Sequence, residues 1–528
     1  MKSLSINWKK GAYSFLFALL FSFIVILPDY LLRLFSHNYL AHFHANTFLY
    51  IFLFMASLFL IKSNKFFITV LSFVWILMGC SLFYLFHFGR YFLGADIQLL
   101  FVETEDIALG FFADIMSFWY LPIICIILFT LSIYLRKKTY KYIYHSNIFI
   151  IIFLGVFLFQ PYIVSKQAKD KNSPSPLRYI FRNGIKSLSS YLVHTDTKRN
   201  KFLPYEVIKQ KDITKPITII FYMLESTSPN NMSLYGYERK TTPNLEKLKN
   251  DKNFIFLRAI SSGVSTSISL SMFFNFQKEA QNYLASFMKD NNLFKMARSQ
   301  GFQTVMYSPQ SSKTFSNIGI GFVDKAIYRD NARYKYNKSG DDYALTLLKS
   351  TPLKDKNFFV VQTRAVHYPY EKIYENLPQY KVFNEEDKDF KLNSYDNAML
   401  YLDELLYKVV NWAKTLDGKV YLIITSDHGQ MMGQDGLWGH SFLDSRVAEV
   451  PFMLYTKNVK IKDLFGMNKH PKLLSHYDIS KFIAKILGYE IINPNTPENI
   501  YYINGVDIDG DAGFIKYKIE NEKFTEIK

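Results

Sequence analysis

The apolar residues of this chain are gathered towards one end. Five apolar runs, at approximately 12–32, 47–62, 66–88, 118–135 and 146–164, come before Lys166, each near the length a bilayer requires. The second is short enough to lie at an interface, but five spans satisfy the charges. Lys2, Lys9 and Lys10 precede the first run, Lys62 and Lys65 divide the second from the third, and Arg136, Lys137, Lys138 and Lys141 divide the fourth from the fifth. Asp29, Asp96, Glu103, Glu105, Asp106 and Asp114 fall in the other loops. Five spans therefore put all three basic clusters on one side, the cytoplasmic one by the positive-inside rule, and leave the rest of the chain outside. Pro28, Asp29 and Tyr30 follow the first run without a small-residue cleavage site, so it is expected to be a retained anchor and not a signal peptide. Trp119 and Tyr120 suit an interfacial belt at the mouth of the fourth.

At 528 residues the chain exceeds one ordinary domain, and after the last run charged and apolar stretches alternate as in a globular protein. A membrane domain over 1–164, a linker over 165–212 and an extracytoplasmic domain over 213–528 are expected. The formal net charge of +17 raises nucleic acid as a partner, but Lys and Arg are dispersed and no nucleic-acid-binding motif accompanies them. Cytoplasmic loops and attraction to an anionic membrane account for the charge. Cys80 and Cys125, the only cysteines, lie in apolar runs, so neither a thiolate zinc cluster nor a disulfide framework is available to the outer domain.

The linker is polar, is broken by Pro174, Pro176 and Pro204, and has no strand-like run. Leu177–Leu192 has the spacing of an amphipathic helix lying on the membrane, with Ile180, Ile185, Leu188 and Leu192 roughly on one face. From Pro216 onwards, apolar strand-like runs at Ile217–Leu224, Thr304–Tyr307, Phe358–Gln362, Val420–Thr425 and Pro451–Tyr455 alternate with helical periodicity, as at Ser394–Ala413. This pattern predicts an α/β domain with a mostly parallel central sheet covered on both faces. Chemistry in such folds gathers at the carboxyl ends of strands.

Glu225 directly follows the first of these strands, and Asp427 and His428 follow the fourth. Oxygen and nitrogen donors at strand ends suit a metal, although a single strand-end acid serves equally as a cap or an ion-pair partner. Asp-His-Gly is more specific, because Gly429 permits a tight turn beneath two ligands. Between them lies SSGVSTSISLSMFF, residues 261–274, rich in hydroxyls. It reads as a helix cap, or as a hydroxyl nucleophile at a helix N-terminus, where free N–H groups bind the phosphate under attack. Such a hydroxyl needs a base or metal to ionise it.

These blocks resemble, in order and spacing, the phosphoethanolamine transferases of the alkaline phosphatase and sulfatase superfamily, over nearly the whole chain. LESTSPNNMSLYGYERKTTPNL (224–245), the 261–274 block, VHYPY (366–370), YDNAMLYLDELL (395–406) and SDHGQMMGQDGLWGH (426–440) carry the resemblance. It implies an alkaline-phosphatase-like fold with zinc held by Glu225, Thr266, Asp427 and His428. Thr266 would be the nucleophile, with His367 and His440 near the phosphoryl group. Looser matches imply substrate binding at Gln310, Lys313, Thr104 and Glu105. The implied reaction moves phosphoethanolamine from phosphatidylethanolamine to an envelope acceptor through a covalent adduct on Thr266, at the periplasmic side of the inner membrane. The acceptor would be lipid A, a core sugar, or another glycan or protein. A related enzyme transferring glycerol phosphate, or hydrolysing a sulfate or phosphate ester, is the alternative.

Three departures stand out. Ser262 and Met272 occupy the places of the family's paired cysteines, Gln430 replaces the Glu after Asp-His-Gly and so argues against a second zinc, and Gln362 replaces a histidine. Asp507–Asp511 superficially matches a calcium loop, but Ala512 and Lys518 stand where glycine and the closing carboxylate are required, so a turn between strands is expected.

Overall fold

The computed structural model describes residues 8–35, 45–88, 118–167, 202–280, 291–315, 317–331, 340–385, 389–461, 464, 473–506, 512–520 and 523–527. The chain divides into two compact units, one built mainly from residues before Lys198 and the other mainly from Lys198 onwards.

All five apolar runs of the first unit form helices: α1 (Trp8–Phe35), α2 (Ala45–Leu60), α3 (Asn64–Phe88), α4 (Tyr120–Thr139) and α5 (Ile148–Gln167). Among the described residues, three are long and apolar enough to cross a membrane: Trp8–Pro28, Asn64–Phe88 and Tyr120–Tyr142. Leu49–Leu60 and Ile148–Leu158 fall short of that length, so five spans are not established. The first of the three stretches ends at Pro28, and α1 continues through it as helix to Phe35. Aromatic packing such as Phe21 on Phe59 (centroids 4.9 Å apart) fills the interior, while Phe15, Phe73, Ile126 and Ile151 face outwards. Helices apolar on all sides suit lipid surroundings. Hydroxyls on these helices pair with their own backbone, as buried Ser22 and Ser132 donate to the carbonyls four residues earlier. Arg136 is buried in the last turn of α4 and is not a loop residue. Its guanidinium donates to the Phe59 and Ile61 carbonyls at the end of α2 and lies 4.2 Å from the Phe67 ring. It satisfies helix-end acceptors that α2 cannot pair itself.

The second unit is built on eight strands: β1 (Ile217–Leu224), β2 (Phe254–Ile260), β3 (Gln303–Ser308), β4 (Lys325–Tyr328), β5 (Lys356–Gln362), β6 (Lys419–Ser426), β7 (Glu449–Lys457) and β8 (Leu473–Ser475). Their order is β8-β2-β7-β6-β1-β5-β3-β4, and only β7 runs antiparallel to its neighbours. The mostly parallel sheet is as expected. All eight residues of β1 are buried, the mark of a strand covered on both faces. On one side Phe221 stacks on Phe273 of α6 (Thr266–Phe274), with centroids 4.8 Å apart. On the other, Ile220 and Tyr222 share a core with Leu402 and Leu406 of α7 (Phe390–Thr415).

Glu206–Lys209, within the stretch expected to lack strands, pairs antiparallel with Tyr489–Ile492. Leu177–Leu192, Thr104 and Glu105 lie outside the described residues. So does the Asp507–Asp511 loop, although its flanks form an antiparallel pair, Ile500–Val506 with Ala512–Glu520.

Candidate active site

Parallel register builds the site. Leu224 of β1 pairs with Ser426 of β6, so the next residues, Glu225 and Asp427, emerge side by side. On the other flank Met223 pairs with Gln362, which ends β5. Thr266, the first residue of α6, comes from a segment remote from both ligand strands in sequence and brings its Oγ1 to 3.4 Å from either Glu225 carboxylate oxygen and 3.3 Å from His428 Nε2. His428 Nε2 lies 3.4 Å from Glu225 Oε1 and 3.5 Å from Asp427 Oδ2. The expected quartet is therefore brought together, with Glu225, Asp427 and His428 fully buried and Thr266 half-buried.

What faces inward is a set of acceptors. His428 Nδ1 donates to the Gly429 carbonyl at 2.9 Å, which places the ring proton there and leaves the Nε2 lone pair towards the carboxylates. Asp427 Oδ1 accepts from the backbone N–H groups of His428 (2.7 Å) and Ser226 (3.1 Å), whereas the buried Oδ2 has no hydrogen-bond partner among the described residues. Burial, followed by repulsion from Asp427, pushes the Glu225 carboxyl up to about 7, and burial pushes Asp427 up to about 6. Burial also lowers His428 below its ordinary value. Lone pairs packed together in this way call for a cation. A regular tetrahedron with centre-to-ligand distances of about 2.0–2.1 Å has edges of about 3.3–3.4 Å, close to the separations seen here. Glu225, Asp427 and His428 are also the group of acidic and imidazole donors, among the described residues, whose ligand atoms lie close enough to hold a metal ion.

The supporting residues were only partly visible in the sequence. Gln310, expected to bind substrate, uses its amide on Glu225 Oε2 (2.7 Å) and on the Thr363 carbonyl (2.8 Å), so it orients a carboxylate. Lys313 is exposed on the short turn that follows. Ser226, not singled out beforehand, adopts φ +51° and donates to Glu225 Oε1 at 2.8 Å. A non-glycine residue held there stores strain at a functional turn. His440 packs over His428, with centroids 4.1 Å apart, and its Nδ1 donates to Gln430 Oε1 at 2.8 Å. The Gln430 amide in turn donates to Tyr370 OH. His367 Nδ1 donates to the Tyr368 carbonyl, and its ring lies close enough to Glu225 to ease the carboxylate charge.

The helical motif proves to be scaffolding. Tyr395 OH donates to the Ser226 carbonyl, Asp396 accepts from Asn231 and Arg239, and Asp403 caps Asn244 and Leu245. Together they shape the 225–245 loop.

Gly429 is required for a reason other than the tight turn expected. It does not adopt positive φ, but a methyl group there would press into the Glu449 carbonyl, with the Val447 carbonyl also at 3.2 Å. Gly429→Ala should destabilise the fold by about 1–3 kcal/mol. Thermal melting is the check, and an unchanged midpoint would contradict the packing argument.

Where paired cysteines are expected, Asn504 stands between the two positions. It is buried, its backbone N–H donates to the Ser262 carbonyl at 2.8 Å, and its amide reaches Met272 Sδ at 3.2 Å.

The sulfatase family profile matches residues 217–489, more than half of the chain. The chain belongs to the sulfatase family. Within it, the sequence is similar to phosphoethanolamine transferases. It is 27% identical over 229 residues to the Kdo(2)-lipid A phosphoethanolamine 7''-transferase of Escherichia coli (strain K12), covering 41% of this chain and 39% of that protein. It is 28% identical over 274 residues to the phosphoethanolamine transferase EptC of Escherichia coli O18:K1:H7, covering 48% and 45%. The chain thus spans less than half the length of these relatives. The fold also matches the integral membrane protein lipooligosaccharide phosphoethanolamine transferase A of Neisseria meningitidis, with a TM-score of 0.60 and 17% identity over 91% of this chain and 96% of that one. That likeness spans both units and identifies the fold.

Proposed function

We propose that this sulfatase-family protein transfers phosphoethanolamine from phosphatidylethanolamine to a cell-envelope acceptor, with Thr266 as nucleophile and zinc held by Glu225, Thr266, Asp427 and His428. The observation that carries this is the cluster of four acceptor side chains, in which the Thr266 hydroxyl at the head of a helix lies 3.3–3.4 Å from His428 and Glu225, and His428 lies 3.4–3.5 Å from Glu225 and Asp427. The similarity to phosphoethanolamine transferases selects the transferred group. Imidazole beside two carboxylates favours zinc over magnesium or calcium, which take oxygen ligands. Bound there, zinc would lower the pKa of the Thr266 hydroxyl and offset charge on the phosphoryl oxygens.

In the first step the Thr266 Oγ–P bond forms while the bond from phosphorus to the glycerol oxygen breaks. The hydroxyl proton leaves Thr266, and diacylglycerol departs once its oxygen is protonated. In the second step an acceptor hydroxyl loses its proton as it takes the phosphoryl group, and the Thr266 oxygen is protonated again. Nδ1 of both His367 and His440 donates to a protein oxygen, so proton exchange with substrate falls to Nε2 in each. The α6 N-terminus adds backbone N–H groups for the phosphoryl oxygens. With Gln430 tied to Tyr370 and His440, a second metal is not part of this reading. Five spans, an inner-membrane location and a periplasmic catalytic domain complete it, supported by the alternating loop charges and the apolar helices.

The test is mass spectrometry of the Thr266 peptide after incubation of the full-length protein with phosphatidylethanolamine, together with metal analysis. A phosphoethanolamine adduct and near-stoichiometric zinc are expected. An adduct formed only from phosphatidylglycerol would move the assignment to glycerol phosphate transfer.

A further inference from the structure

Behind the acceptor cluster lies a histidine that supplies no ligand. His476 opens α8 (His476–Ile486) and is fully buried. Its Nε2 faces the Ser426 carbonyl at 2.9 Å, so the proton sits on Nε2 and Nδ1 is the acceptor. Nδ1 lies 3.3 Å from Ser269 Oγ, and Ser269 stands one turn after Thr266 on α6. The two arms thus reach the residue just before the Asp427-His428 pair and the helix that carries the hydroxyl. Both targets are well defined. Ser426 Oγ donates to the His428 carbonyl at 2.8 Å, and Ser269 N–H donates to the Ser265 carbonyl at 2.9 Å.

The imidazole itself is firmly anchored. Ser475 and Asp478 form a reciprocal capping box at the start of α8, Tyr501 OH donates to Asp478 at 3.1 Å, and the Phe273 ring packs edge-on at 5.2 Å. Burial holds the ring in its neutral form, with its pKa pushed down to about 3. A neutral imidazole in one tautomer, with both nitrogens engaged, is a rigid spacer of fixed length. A hydrophobic residue of the same volume would fill the space and lose both connections.

We propose that His476 is a positioning residue that fixes the distance between the Asp427-His428 turn and the Thr266 helix, and so sets the shape of the metal site. This rests on the metal-site reading above. The geometry matters because the separations of 3.3–3.5 Å leave little room for drift before a tetrahedral set loses a corner.

The test uses the full-length protein in detergent, with zinc affinity measured by competition against a chelator and transfer kinetics measured alongside. His476→Phe should weaken zinc binding about 10–100-fold, the usual consequence of losing an outer partner of a metal site. His476→Gln, whose amide can still donate to the Ser426 carbonyl, should recover most of that affinity. Ser269→Ala cuts the arm to α6, together with the Ser269 contact to Ser261 Oγ at 3.1 Å, and should lower kcat with little change in KM or zinc affinity. His476→Phe that folds and binds zinc as tightly as the parent would overturn the proposal. So would a fall in melting temperature alone, with zinc affinity and kcat unchanged. If His476→Phe does not fold, the other two variants decide, and parental zinc affinity and kcat in both would overturn it. A parent protein that binds no zinc would bring down the metal-site reading together with this one. A parent that binds zinc, beside an indifferent His476→Phe, would bring down this one alone.

Discussion

Thr266→Ala will leave the second unit folded and reduce transfer by about 10⁴-fold or more, the scale seen when a nucleophile is removed from a site whose binding groups remain. The loss should fall on the chemical step. Thr266 is half-buried at the first position of α6, and among the described residues its hydroxyl bonds within the acceptor cluster, so the helix itself depends little on it. The measurement is diacylglycerol release from phosphatidylethanolamine vesicles, with the Thr266 peptide weighed in parallel. Thr266→Ser keeps a hydroxyl and should retain part of the activity. Full transfer by the alanine variant would remove Thr266 as the nucleophile.

The second large effect is a pH-dependent response to metal. Metal-free, Glu225 is pushed up to about 7 and Asp427 to about 6, both by burial above all, from ordinary values of 4.5 and 3.8. At these two carboxyls the folded state binds more protons than the unfolded chain between about pH 4 and 7, so their contribution to the stability of the metal-free protein should fall as pH rises through that window. Zinc reverses this, because it binds the ionised carboxylates and must displace their protons at low pH. The rise in melting temperature on adding zinc should therefore be small at pH 5 and fully developed above pH 7. Zinc at a thousandfold excess over its Kd would contribute about 4 kcal/mol. Melting curves with zinc and with chelator at several pH values are the check, and a zinc effect equal at pH 5 and pH 8 would count against carboxylate ligation.

The candidate ligands Glu225, Asp427 and His428 were legible in the sequence because each pair or single residue follows an apolar run directly. A buried strand that stops at Glu225 or at Asp427 and His428 states both where the sheet ends and what lies there. The strands missed were those with mixed surfaces. Most of β2 is only partly buried, and Arg258 falls among its apolar residues, while β8 is three residues long at the sheet edge. The reversed direction of β7 leaves no trace in composition. The contacts of Gln430, Asn504 and His476 were not readable for a different reason: each joins segments far apart in the chain, and a neutral polar residue gives no sign of what it will meet. Gln310 was found, but its contact with the carboxylate was not, since only the fold shows its amide turned onto Glu225.

The place of Asn504 beside Ser262 and Met272 bears on how such a protein matures. No cysteine follows Cys125 in the sequence, so the second unit has no thiol to oxidise, shuffle or mispair. Its native state can be reached without oxidases or isomerases and is indifferent to the local thiol balance. A phosphine reductant, which carries no thiol to compete for zinc, should leave its melting temperature unchanged, whereas a homologue braced by a disulfide at the same two positions would soften. The block that carries Thr266 is thus secured by contacts that form as the chain folds, on the timescale of folding and not of oxidation.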